Sequence, residues 1–257
     1  TLENPRNDAE DIATVFRRLG FVVIKGMDLD HTKMRRIIRR FAKALEAAKA
    51  GVLFYAGHGI QVSGKNYLVP IDAKLNDTIA IDFELIRLDL IHSTMEQSTK
   101  TNILFLDACR DNPLARNLNL GMGTRSASIG RGLATVESGI GSLISFSTQP
   151  GNYALDGDTG RNSPYTSALI ANLNAGHHEL SDLLIRVRRD VMAMTKAKQV
   201  PWEHSSLTRP FYFGKAVKPE ISQPDGRAKR PADAESSHWR FVATSRQPDL
   251  IKFFLRK

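Results

Sequence analysis

Four short apolar runs constrain this chain more than any other feature: 21–24 (FVVI), 51–56 (GVLFYA), 102–106 (NILFL) and 143–146 (LISF). Each is too short for a buried helix, and the runs are rich in aliphatic and aromatic residues, as expected of strands buried on both faces. Amphipathic helical patterns lie between them. In 7–19 the residues Ala9, Ile12, Ala13, Phe16 and Leu19 recur at helical spacing, with Asn4-Pro5 before them and Gly20 after. Segment 30–48 is helical with a very basic outer face, and 82–97 reads as a third helix. Ser163-Pro164 opens a fourth helix running to 173, and 179–196 forms a fifth. This alternation predicts an α/β fold, a mostly parallel sheet with helices on both faces. A short aromatic strand is expected at 211–213, and 111–140, rich in Gly, Ser, Asn and Arg, is expected to be mostly loop.

A chain of 257 residues, 42% of them apolar, can bury one large core and is too apolar to be disordered. No apolar run approaches the roughly 18 residues of a membrane-spanning helix. A single cysteine excludes an intrachain disulfide framework and a multi-cysteine zinc site. The net charge of +9 is uneven, because 215–257 holds ten Lys or Arg against five Asp or Glu. Residues 219–231 read as a linker and 239–255 as a small terminal element. The expected division is a domain over 1–214 followed by a basic extension over 215–257. With no basic block of four, that extension reads as solvated, and no nucleic-acid partner is expected. Position 1 is Thr, so residues upstream, a signal peptide among them, are allowed for. The compartment therefore stays open between cytoplasm and periplasm or exterior.

In parallel sheets reactive groups gather on loops at the carboxyl ends of strands. Two strands here end in such residues: 51–56 runs into Gly57-His58-Gly59, and 102–106 into Asp107-Ala108-Cys109. Histidine moves protons near neutral pH, and cysteine needs only modest help to become a thiolate nucleophile. If the two strands are neighbours, His58 and Cys109 face one cleft. The glycines on either side of His58 permit close backbone approach, which a strand end without a ligand does not require.

The stretches YAGHGIQ (55–61) and LDACRDNP (106–113) resemble the caspase-like cysteine peptidases, the clan of caspases, metacaspases and paracaspases. The match is closest to bacterial caspase-domain proteins and paracaspases. It extends from 4–21 through 156–169 to 201–207. The resemblance implies a three-layer α/β/α sandwich and a cysteine endopeptidase needing no cofactor and no metal. It assigns His58 as general acid or base and Cys109 as nucleophile. The oxyanion would lie against the backbone N–H groups of Gly59 and Cys109, each such donor being worth about 3–4 kcal/mol in comparable sites. It also implies a first pocket lined by carboxylates, with Asp8, Asp107 and Asp156 at the matching positions. Clustered carboxylates demand a cation, and a guanidinium satisfies two of them with paired hydrogen bonds. The expected substrate is therefore a protein or peptide cut after Arg or Lys.

Two departures accompany the resemblance. The family's first strand normally precedes position 1 and lies centrally in the sheet, so without it a gap is expected between the strands at 21–24 and 51–56. Residues 59–77 carry only Asp72 and Asp77 as acids, too few for the calcium cage of some metacaspases. Segment 59–66 follows the GxxxxGK phosphate-loop pattern, but Asn66 replaces the magnesium-binding Ser or Thr and the chain then reads extended, so nucleotide binding is not expected. Asp156-Gly157-Asp158-Thr159-Gly160 is expected to be a surface turn rather than a calcium loop. Trp202 and Trp239 are expected to be buried. His31, His92, His204 and the pair His177-His178 carry no ligand spacing. Arg110, Arg116, Arg125 and Arg131 mark a segment where such an enzyme would cut itself. A homodimer is allowed for, and the alternative to an enzyme is a catalytically silent scaffold that binds partners through the same cleft.

Overall fold

A computed structural model describes residues 4–77, 79–108, 129–130, 133–134, 136, 139–150, 152–156, 161–176 and 178–213. The main sheet has the order β1 (Gly51–Ala56), β5 (Asn102–Asp107), β7 (Ser142–Phe146), β8 (Trp202–Ser205). The first three strands are parallel and β8 is antiparallel to β7. A second, antiparallel sheet has the order β4 (Ile86–Arg87), β3 (Lys65–Leu68), β2 (Gly59–Val62), β6 (Ile129–Gly130).

The strand period of two divides the core. Ile103, Phe105 and Leu143 face a cluster built with α1 (Pro5–Arg18), α5 (Pro164–Asn174) and α6 (Leu180–Met194). Leu104, Leu106, Ile144 and Phe146 face a second cluster with α2 (His31–Leu45) and α4 (Leu88–Ser98). The result is the three-layer α/β/α sandwich. Every residue of β5 is buried, as befits a strand flanked on both edges and covered on both faces. Gly51–Ala56 is only half-buried after Gly51, because β1 is the edge of the sheet among the described residues.

Several elements differ from expectation. Residues 21–24 form no strand. Phe21 and Val23 pack on the α1 side of the core while Val22 is 93% exposed, so the alternation is there without a ladder to hold it. Segment 82–97 is broken into α3 (Ala80–Glu84), β4 and α4. Leu85, Ile86 and Leu88 are all buried, and on one continuous helix Ile86 and Leu88 would lie about 200° apart, on opposite faces. Segment 59–66 is a hairpin turning at Ser63 and Gly64, both with positive φ, which removes any phosphate loop. Residues 211–213 form an aromatic plug with one isolated bridge, Glu179 to Tyr212. Phe213 lies 5.7 Å from Phe16 and 6.2 Å from Phe105. β8 had no sequence signal, and Trp202 on it is 46% exposed rather than buried. Trp239, His177, Arg110, Arg116, Arg125, Arg131 and the whole of 214–257 lie outside the described residues, and with them the expected domain boundary.

Candidate active site

The site is set by the register of β1 against β5. Ala56 pairs with Asp107, and the Gly57 N–H donates to the Asp107 carbonyl at 3.2 Å. The chain then reaches His58 from one strand and Ala108 from the other. Cys109 itself lies outside the described residues; it is bonded to Ala108, which is fully buried and whose carbonyl accepts from Ser147 Oγ at 3.1 Å. The His58 backbone is pinned. Its carbonyl accepts from Tyr55 Oη at 2.7 Å and from the Val69 N–H at 3.1 Å.

Both glycines beside His58 have a steric reason. Gly57 has φ +156°, and a Cβ there would meet Tyr55 Oη at 2.9 Å. A Cβ on Gly59 would meet Leu133 Cδ2 at 3.1 Å and Ala108 Cβ at 3.2 Å, so the chain after His58 passes hard against the residue before Cys109. The His58–Val69 bond also fixes parity in the β2–β3 ladder. Gly59 and Leu68 form the non-hydrogen-bonded pair, so the Gly59 N–H points away from β3.

Two of the three candidate acids converge. Asp8, in the first turn of α1, and Asp107, at the end of β5, are both fully buried and both bonded to Ser163. The Ser163 N–H donates to Asp8 Oδ1 at 3.1 Å, and its hydroxyl donates to Asp107 Oδ2. Asn162 Nδ2 adds a bond to Asp8 Oδ1 at 3.1 Å, and Thr166 Oγ1 adds one to Asp107 Oδ2 at 2.8 Å. Ser163 is also the N-cap of α5, accepting from the Thr166 N–H at 3.0 Å. The positive end of α5 thus sits against two carboxylates, an arrangement its dipole favours. The buried charge has an electrostatic consequence nearby. Burial above all raises the Tyr165 phenol pKa; its bond to Ser145 opposes this, and the negative charge of Asp107 adds to it.

Asp156 is attached through its main chain. Its carbonyl accepts from Nδ2 of Asn4, the residue that starts α1 and whose own carbonyl accepts from the Asp8 N–H. Gln199 braces the same loop, accepting from the Leu155 N–H at 2.9 Å and donating to the Ser147 carbonyl at 2.8 Å. The surface turn expected after Asp156 falls on 157–160, which lie outside the described residues. Asp77 caps the Ala80 N–H locally and Asp72 holds the His31 N–H at the start of α2 from a distant segment, each at 2.8 Å. Among the described residues no group of three His, Cys, Asp or Glu is arranged to hold a metal ion.

Sequence reasoning missed Ser163, Asn162 and Thr166 as ligands of the acids. The Ser-Pro pair marked a helix start, but nothing in the sequence said that the same hydroxyl would bridge to a strand.

Comparison with known proteins decides the family. A profile of the caspase domain, Peptidase C14, matches residues 1–212. The chain belongs to the caspase-domain family. The caspase fold is also seen in the crystal structure of caspase-1 from Spodoptera frugiperda, with TM-score 0.57 and 22% identity over 84% of this chain and 83% of that one. This caspase domain is also similar to the human mucosa-associated lymphoid tissue lymphoma translocation protein 1, 30% identical over 113 residues, and to its mouse homologue at 29%. The match covers 42% of this chain and 13% of each of those proteins. The chain is therefore a caspase-family cysteine peptidase domain.

Proposed function

We propose that this caspase domain is an active cysteine endopeptidase that cleaves after Arg or Lys. The observation carrying the reading is the β1–β5 register, which brings the chain carrying His58 and the chain leading into Cys109 side by side at the carboxyl edge of the sheet. In the reaction the Cys109 thiolate attacks the scissile carbonyl and the C–N bond of the intermediate breaks. His58 delivers a proton to the leaving amine, then takes one from the water that hydrolyses the thioester. The Gly59 N–H, turned away from β3, supports an oxyanion site shared with the Cys109 N–H.

The preference for a cation rests on Asp8 and Asp107, held as a pair by Ser163 at the end of the strand that leads to the nucleophile, with Asp156 joined to the start of α1. Both paired carboxylates are buried. A guanidinium reaching them would be dehydrated, and only paired carboxylates offset that cost. A homodimer belongs to the same proposal, supported by β8, an exposed edge strand among the described residues, and sedimentation tests it.

Hydrolysis of fluorogenic peptides with Arg, Lys or Asp before the reporter tests the reading. Cleavage of the Arg and Lys peptides by the wild type and none by Cys109→Ala is expected. A silent scaffold would cleave none, and a preference for Asp would overturn the acidic pocket.

A further inference from the structure

We propose that Ser163 is a positioning residue for substrate charge: it sets the spacing and orientation of Asp8 and Asp107 as one unit. The inference rests on the proposed cleavage after basic residues and adds the residue that makes its pocket specific. Asp8 and Asp107 come from α1 and β5 and are far apart in sequence, and each alone would have its own rotamer freedom. Ser163 is fully buried and contacts both, one through its main chain and one through its hydroxyl. Two donors meet on Oδ1 of Asp8, from Asn162 and Ser163, and two on Oδ2 of Asp107, from Ser163 and Thr166. Two bonds on one oxygen fix the rotation of a carboxylate as well as its place.

Serine suits all of these roles. Its hydroxyl accepts from the Thr166 N–H as a helix cap while donating its proton to Asp107, and its N–H remains for Asp8. The segment that delivers it is anchored on the far side, where Arg161 makes a two-bond ion pair with Asp11 at 2.9 and 3.1 Å. Asp107 lies two residues before Cys109, so a rotation of its carboxylate changes where a substrate cation sits relative to the nucleophile.

The substitutions separate positioning from folding. Glycine is nearly as good an N-cap as serine and keeps the N–H to Asp8, so Ser163→Gly removes chiefly the donor to Asp107. Thr166→Val removes the second donor with little change in shape. Threonine at 163 keeps both cap and donor. The wild type, Ser163→Gly, Thr166→Val, the double variant and Ser163→Thr are compared on Arg peptides, alongside the rate at which iodoacetamide, which carries no charge, alkylates Cys109. In the double variant kcat/KM for the Arg peptide should fall at least tenfold, mostly through KM. Alkylation should stay within twofold, and Ser163→Thr should retain wild-type kinetics. Equal losses in alkylation and Arg cleavage would mean a collapsed site and overturn the inference. So would unchanged Arg cleavage in the double variant while the wild type remains basic-specific. A wild type that cleaves neither Arg nor Lys peptides removes the pocket reading itself and the inference with it, and the wild-type arm alone identifies that case.

Discussion

Each end of the main sheet has a histidine beside it, and the two are held in different ways. At the carboxyl edge, His58 sits between two glycines, its backbone pinned by Tyr55 and Val69, next to the strand that leads into Cys109. At the amino edge, His92 on α4 is 2% exposed. Its Nε2 lies 3.0 Å from Ser142 Oγ and 3.2 Å from Glu96 Oε1, and the same Glu96 oxygen accepts from Ser142 Oγ at 3.0 Å and from the Gly139 N–H at 2.6 Å. That cluster ties α4 to the turn entering β7. Gly141 in the turn has φ +90°, and a Cβ there would strike the Lys100 carbonyl at 2.3 Å. A Ser, His and Glu in contact are thus a brace at one end, while at the other the histidine lies at a strand end beside the strand that leads into Cys109. Proximity of residue types does not make a site; position at the carboxyl edge of a parallel sheet is what marks one out.

The largest effect that could break this contrast is on turnover. Cys109→Ala should abolish peptide hydrolysis, and His58→Ala should lower it by about 10²–10⁴-fold with the fold retained. His92→Ala should do the reverse, leaving KM for an Arg peptide near wild type while costing about 1–3 kcal/mol in a urea melt, because Ser142 and Glu96 lose a buried partner. A turnover loss in His92→Ala as large as that in His58→Ala would erase the distinction between the two ends.

The acids give the next contrast. Asp107→Asn should weaken cleavage after Arg by roughly ten- to a hundredfold, the worth of one charge-assisted bond. Glu96→Gln should leave the ratio of Arg to Asp cleavage untouched and appear only in stability. Equal specificity in wild type and Asp107→Asn would show that Asp107 serves the fold alone.

pH sharpens the comparison further. Burial lowers the His92 pKa, and the charge of Glu96 only partly opposes it. The folded state therefore binds this proton less readily than the unfolded chain, whose histidine titrates near 6.5. Stability carried by neutral His92 is present above that pH and is lost as pH falls below it, by at most about 1.4 kcal/mol per pH unit. His92→Gln, which keeps a donor for Ser142, should flatten this part of the acid limb in melts at pH 7 and pH 5. An identical slope in both proteins would contradict the account.

The smallest expected effect concerns Thr148, just after β7. It is 1% exposed, and among the described residues its hydroxyl has no hydrogen-bond partner. Thr148→Val should be neutral or stabilising by up to about 1 kcal/mol in a thermal melt, since a buried hydroxyl without a partner is a cost. Destabilisation would mean the hydroxyl is satisfied in solution.

The sequence made the layers and strand ends legible because both follow from short-range pattern. The aliphatic runs at 51–56 and 102–106 specify buried strands, and Gly57-His58-Gly59 declares a turn with close contacts. What stayed hidden depends on pairing between distant segments. The run 21–24 read as a strand, yet its Phe21 packs on Phe16 at 5.4 Å and on Phe213 at 5.9 Å with no ladder beside it. β8 was invisible because Trp202-Glu203-His204-Ser205 is mostly exposed and becomes a strand only by lying against β7. Ser163 read correctly as a cap, while its bridge to Asp8 and Asp107 needed the fold.

The most direct test of the central claim is covalent trapping. The wild type is incubated with a peptidyl-arginine chloromethyl ketone or its aspartyl counterpart, digested and mapped by mass spectrometry. The account predicts one adduct, on Cys109, formed by the arginyl reagent, slowed by orders of magnitude in His58→Ala and unchanged in rate in His92→Gln. No adduct on Cys109, or faster labelling by the aspartyl reagent, would contradict it.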